Sequence, residues 1–186
     1  MPRTVYYTAT TLDGFIATPD HQLDWLVTRQ VDNDGPMGYD AFIADIGAIA
    51  MGANTYRWIL DNHPDMEWPY PMPAWVFTHR DFDPRTDGAD VRYTQQPITV
   101  VHKEMAEAAA GRSIWIVGGG ELAGQFADHG LLDEMCVSIA PITLGAGQPL
   151  LPRRVEMKLT ELARNGEFAC ARYDIARQAI PPVPVT

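Results

Sequence analysis

The chain has 186 residues, a hydrophobic fraction of 46% and a formal net charge of −10, from 14 basic and 24 acidic side chains. Its length and apolar content suit one domain with a sizeable core, and no run of about eighteen apolar residues offers a membrane span. The acidic balance repels phosphate backbones, which excludes general nucleic-acid binding while leaving room for a local anion pocket built from main-chain N–H groups.

The N-terminal MPRTVYYTATTLDGF lacks the apolar stretch of a secretory signal, so a cytoplasmic setting is expected. TVYYTAT (4–10) reads as a strand from its β-branched and aromatic content. Residues 18–36 form a polar loop with a short helical piece near Trp25, and MGYDAFIADI (37–46) has helical spacing. GAIAMG (47–52) is a short buried strand, and ANTYRWILDN (53–62) a helix with Asn54 or Thr55 as its cap. Pro64, Pro69, Pro71, Pro73 and Pro84 mark a long connection interrupted by the apolar strand AWVFT (74–78). VRYT (91–94) is a weak strand candidate, and VVHKEMAEAAAG (100–111) is a helix ended by Gly111. SIWIV (113–117) is a strand, GELAGQFADHG (120–130) a helix and DEMCVSIAPIT (133–143) a long strand. VEMKLTELAR and EFACARYDIAR close the fold as a hairpin through Asn165-Gly166, and the tail over 179–186 is loose. This alternation, ending in strands alone, implies a mostly parallel sheet with helices on both faces and an antiparallel C-terminal hairpin, in one domain over 1–178.

Chemistry is signalled at the glycines. In an open α/β sheet, ligands sit beyond the carboxyl ends of strands. Gly118, Gly119 and Gly120 occupy such an end, where a phosphate can approach the main chain and the first amides of the next helix lack internal partners. AIAMGANTY repeats the pattern at Gly52, Asn54 and Thr55, so two junctions could flank one extended ligand such as a dinucleotide. TATTLDGFIA adds a turn at Asp13-Gly14, for which an Asp capping its own backbone is the simpler account. Cys136 and Cys170 lie in apolar strand-like segments and are expected to be buried free thiols; no Cys/His spacing supports a metal site.

TLDGFIA, MGANTY and IVGGGELAGQFADHGLLDEMCVSIAPITLGAG together resemble the signatures of the dihydrofolate-reductase-like superfamily, in particular the C-terminal reductase domain of the bifunctional riboflavin-biosynthesis deaminase/reductase. The resemblance implies that superfamily's three-layer sandwich and hydride transfer from NADPH, with NADH as the alternative. It places Ala9 and Ile16 near the nicotinamide. Gly52, Asn54 and Thr55 would hold the pyrophosphate together with Val117, Gly118, Gly119, Gly120, Glu121 and Leu122. Thr78 and Arg80 of VFTHR are candidates for the adenosine 2′-phosphate. Ala53 stands where the folate enzymes often carry a phosphate-binding Arg, and Glu121 near a 2′-phosphate would repel it, although glutamate is usual in the riboflavin-type branch that the chain resembles. Relatives of the riboflavin type pair through edge strands, so a homodimer is implied as well.

The reaction also needs a balancing proton, for which a carboxylic acid is the usual source. Asp13 and Asp24 are the expected candidates. Trp25 and Ser138 are the expected substrate contacts, with Trp68, Tyr70 and Trp75 as further rings able to stack on a flat heterocycle. No H-x-E is followed by P-C-x-x-C, which excludes the zinc-dependent deaminase half. The expected activity is reduction of a flat nitrogen heterocycle. The competing expectation is a nucleotide-binding sensor or interaction module that keeps the fold without turnover.

Overall fold

The β-branched and aromatic run at the N-terminus forms β1 (Thr4–Thr11), which turns at Asp13 and Gly14 into the short β2 (Phe15–Ala17). The structure is a computed structural model describing residues 2–62 and 67–176, so the expected tail over 179–186 lies outside the described residues. Two short helices follow, α1 (Asp24–Val27) and α2 (Tyr39–Ala44). Then β3 (Ile46–Gly52) runs without a break into α3 (Ala53–Asn62). The proline-rich connection holds β4 (Ala74–Phe77), and β5 (Val91–Thr94) follows. The alternation continues through α4 (Ile98–Ala108), β6 (Ser113–Gly118), α5 (Gly120–Asp128) and β7 (Glu134–Ala140). It closes with β8 (Gln148–Pro149), β9 (Met157–Asn165) and β10 (Phe168–Ile175).

The main sheet has eight strands in the order β5-β4-β3-β6-β1-β7-β10-β9. Pairing is parallel from β5 to β7 and antiparallel at β10 and β9. A separate two-stranded sheet of β2 and β8, which local sequence did not announce, ties the start of the chain to the segment before β9.

Alternation along the strands separates two cores. Ala48, Ala50, Ile114 and Ile116 face α4 and α5, meeting Val101, Met105, Leu122 and Phe126. Their neighbours Ile49, Met51 and Trp115 face the other way, onto Tyr56 and Ile59 of α3 and Phe42 of α2. Each fully buried aliphatic or aromatic side chain contributes about 1.5–3 kcal/mol, whereas an exposed ion pair contributes about 0–1 kcal/mol. Apolar burial therefore holds the layers to the sheet.

Several boundaries move for local reasons. α4 begins at Ile98 behind Pro97, which has no N–H to leave unpaired, and it ends where Ala110 (φ 51°) and Gly111 (φ 89°) turn left-handed. α2 is shorter than its helical spacing because Met37 has φ 55° and Ile46 joins β3. In the closing hairpin Asn165 is paired with Phe168, so Gly166 and Glu167 make the turn. The Asn165 side chain is buried instead, accepting from Asp32 N at 2.9 Å and donating to Asp32 O and Pro36 O at 2.8 and 3.2 Å.

Candidate nucleotide cleft

β3 and β6 are parallel neighbours, with Met51 opposite Gly118. From β3 the chain leaves through α3 toward β4 and β5; from β6 it leaves through α5 toward β7, past β1. The two helices cover opposite faces. A crevice must open where they diverge, at the carboxyl ends of the strands. A cleft of about 1170 Å³ lies there.

Both helix tips border it. The first amides of α3 and α5 have no acceptors within their helices, and each helix presents the positive end of its dipole. A Cβ on Gly52 would lie 3.9 Å from Gly118 O and 4.0 Å from Gly119 N, in ordinary van der Waals contact with the other tip and without a clash. A Cβ on Gly119 would come within 3.7 Å of Ile16 Cδ1. Gly120 differs: its missing Cβ would lie 2.3 Å from the carbonyl oxygens of Pro149 and Leu150. The adjacent glycines therefore differ: a side chain would find ordinary contact at Gly119, whereas at Gly120 it would strike backbone. The peptide bond between Gly118 and Gly119 is cis.

At the outer end, Thr78 Oγ1 accepts from Arg80 N at 2.8 Å, which fixes the turn after β4. Arg80 is exposed on the lining, with no ion-pair partner among the described residues. Pro97, Ile98, Leu122 and Gln125 give this end a slot with largely apolar walls. Glu121 lines the cleft too, but Arg153 grips its carboxylate with two nitrogens, at 2.7 and 3.1 Å. That pairing holds the Glu121 carboxyl below its ordinary range. The repulsion expected from its sequence position is thus met by a cation. Over the entrance, His21 Nε2 and Asn54 Nδ2 are 3.3 Å apart, linking the β2–α1 loop to the α3 tip.

The inner end is aromatic. Tyr7 stacks on Phe42 at 4.1 Å between centroids and stands edge-on to Trp115, as does Tyr70 at 5.6 Å. Burial pushes the Tyr7 hydroxyl up to about 12 and raises Tyr70 as well. Trp58 and Ile59 complete this wall.

Every residue expected to hold the cofactor lies on this one lining: Ala9, Ile16, Gly52, Asn54, Thr55, Thr78, Arg80 and the run from Val117 to Leu122. The expected catalytic and substrate residues do not. Asp13 is exposed and accepts from Thr11 Oγ1 at 2.5 Å, Leu144 N at 3.0 Å and Gly145 N at 2.7 Å, so its carboxylate braces two turns. Asp24 is exposed at the start of α1, and Trp25 is buried among Ala140, Phe168 and Cys170. Ser138 Oγ faces Cys170 Sγ at 3.5 Å. Of the other rings, Trp75 is buried beneath α4 and Trp68 packs on Tyr56, leaving Tyr70 on the lining. Tyr7 was missed, although strand periodicity carries the signal, because Tyr7 and Ala9 share a face of β1. Cys136 and Cys170 are buried free thiols. Among the described residues no helix is long and apolar enough to cross a membrane, and no cluster of His, Cys, Asp and Glu could hold a metal ion.

A mostly parallel sheet with an antiparallel end, opened between β3 and β6, is the dihydrofolate-reductase-like α/β fold. The chain belongs to the RibD C-terminal domain family, which it matches over residues 2–170. It is 30% identical over 181 residues to the uncharacterized protein YwjB of Bacillus subtilis, covering 92% of this chain and 97% of that one. The riboflavin biosynthesis protein RibD of Corynebacterium ammoniagenes is 29% identical over 183 residues; the match takes in 88% of this chain and 49% of RibD, so this chain spans about half of that protein. The crystal structure of a protein from Shewanella sp. PV-4 described as a "putative riboflavin biosynthesis protein" superposes with a TM-score of 0.79 at 26% identity, over 94% of this chain and 99% of the other. Dihydrofolate reductase of Enterococcus faecalis, solved with NADP(H), shares the fold alone, with a TM-score of 0.55 at 15% identity over 95% and 96% of the two chains.

Proposed function

We propose that the chain is an NADPH-dependent reductase of a flat nitrogen heterocycle, of the kind handled by 5-amino-6-(5-phosphoribosylamino)uracil reductase. One observation carries the reading: two glycine-bordered helix tips on adjacent strands face each other across a cleft that is aromatic at its inner end. The residues present suit the cofactor. Gly52 and Gly119 line the cleft with main chain that carries no side chain, which would let a diphosphate approach the helix amides. Thr78 and Arg80 would take the 2′-phosphate, and the slot at Pro97, Ile98 and Leu122 the adenine. Ala9 and Ile16 would border the nicotinamide, against which Tyr7, Tyr70 and Trp115 would hold the flat substrate and exclude water.

Reduced nicotinamide supplies a hydride when bound; the protein supplies alignment and the proton. Among the described residues Glu121 is the single carboxylate on the lining, and it sits at the phosphate end. In our reading the proton therefore comes from water, held by the hydroxyl of Tyr7 or Tyr70, since burial makes the phenols themselves poor acids. The same observation favours a second reading, in which the cleft binds the nucleotide without turning it over.

Titration with NADPH separates these outcomes. Trp58 and Trp115 line the cleft, so binding should quench tryptophan fluorescence and raise the melting temperature. No response to millimolar NADPH or NADH would defeat both readings. Binding without oxidation across a panel of pterins and aminopyrimidines would select the second.

A further inference from the structure

Gly120 and Gly124 are four residues apart on α5 and share one face of the helix. Residues 149–153 fill the bare strip they leave. A Cβ at Gly120 would meet the Pro149 and Leu150 carbonyl oxygens at 2.3 Å, and one at Gly124 would meet Arg153 Cγ at 2.9 Å. The segment thus lies flat on the helix and delivers Arg153 along its axis. Arg153 Nη2 and Nη1 donate to Glu121 Oε1 and Oε2 at 2.7 and 3.1 Å. Nε donates to Asp128 Oδ2 at 2.8 Å, and Nη1 also to Pro152 O at 2.9 Å. One cation is fastened at both ends of α5.

Glu121 stands in the first turn of α5, beside the amides assigned above to the diphosphate. A carboxylate there satisfies the helix dipole itself and competes with an incoming anion for the same positive end. We propose that Arg153 is a positioning residue that turns the α5 tip into an anion site, masking Glu121 and holding it back from the diphosphate slot. This inference rests on the nucleotide reading of the cleft. The contacts fit the role: Arg153, 26% exposed, is also held by Asp128 and the Pro152 carbonyl, whereas Glu121 is 61% exposed.

The test is a double-mutant cycle. NADPH affinity is read by tryptophan quenching, and folding by the thermal midpoint, for wild type, Arg153→Gln, Glu121→Gln and the double variant. R153Q should weaken NADPH binding roughly 5- to 10-fold at low salt, the size of one uncompensated charge near the ligand. That loss should shrink as salt shortens the Debye length. The double variant should return to within about 2-fold of wild type, because the charge to be masked is gone. Arg153→Lys, which keeps the charge without the planar fork, should stay within about 3-fold. If Arg153 only staples residues 149–153 to α5, R153Q will cost as much in the E121Q background and salt will not matter. Either result, an R153K as weak as R153Q, or unchanged affinity in R153Q overturns the proposal. A wild-type chain that binds neither NADPH nor NADH overturns the nucleotide reading and this inference with it.

Discussion

Gly52→Ala and Gly120→Ala make the same chemical change at two cleft-lining glycines, and the structure assigns them opposite consequences. At Gly120 the new methyl would sit 2.3 Å from two main-chain carbonyl oxygens, which must retreat by roughly 0.7 Å to reach even the 3.0 Å floor of real contacts. Main chain in a packed segment cannot rotate aside as a flexible side chain would. Overpacking of this kind costs about 1–3 kcal/mol, and replacing Gly by Ala in a helix returns up to ~1 kcal/mol. The midpoints leave a net loss of about 1.5 kcal/mol, a fall in melting temperature of about 3–6 °C for a chain of this length. At Gly52 the methyl meets nothing closer than 3.9 Å, so the melting temperature should stay within about 2 °C of wild type. The same methyl occupies the gap between the helix tips and should weaken NADPH at least ~10-fold by holding the diphosphate off the amides. Thermal denaturation and fluorescence titration of both variants supply the readout. The reasoning fails if G120A melts with wild type, or if G52A binds NADPH as tightly as wild type.

Arg80→Gln should weaken NADPH about 10- to 100-fold, the value of a hydrogen bond to a charged group, while leaving NADH affinity unchanged; isothermal titration with both nucleotides decides it. The Thr11 hydroxyl, with the amides of Gly145 and Leu144, holds the Asp13 carboxyl below its ordinary range. A depressed folded value contributes stability above the unfolded value of about 3.9 and loses it as pH falls through the folded one. Asp13→Ala should therefore melt below wild type at neutral pH, with the gap closing in acid. Tyr7→Phe removes the bond from Tyr7 Oη to Met37 O at 3.2 Å and should cost about 1 kcal/mol in urea unfolding at neutral pH. Because Tyr7 titrates at about 12 when folded and about 10 when unfolded, wild type should lose stability on titration from about pH 10 upward, and Y7F should lose less.

The fold was legible where its signals are local. The glycine junctions announce themselves because only a residue without a side chain leaves main chain bare at a strand end, and α3 occupies the expected residues 53–62. The closing hairpin was legible from Asn165-Gly166, but its turn moved by one residue because Asn165 finds buried partners in residues 32–36, some 130 positions away. Distance along the chain also hid the fate of Asp13. Its turn was readable, whereas Leu144 and Gly145 reach it only once β7 lies beside β1. Trp25 was ambiguous for another reason: an indole beside an acid suits a lid or a core equally, and in the structure it is buried against Phe168. The Arg153 contact left no local pattern, since its partner lies across the separate β2–β8 excursion.

The cleft is the seam between two cores that share a sheet and little else. Its outer wall, at Ile98 and Leu122, belongs to the layer beneath α4 and α5; its inner wall, at Trp115 and Tyr70, belongs to the layer beneath α2 and α3. Remodelling one layer leaves the other's packing intact. If the cleft holds two reactants as proposed, a lineage built on this plan can exchange one for a differently shaped one while its grip on the other carries over, generation after generation.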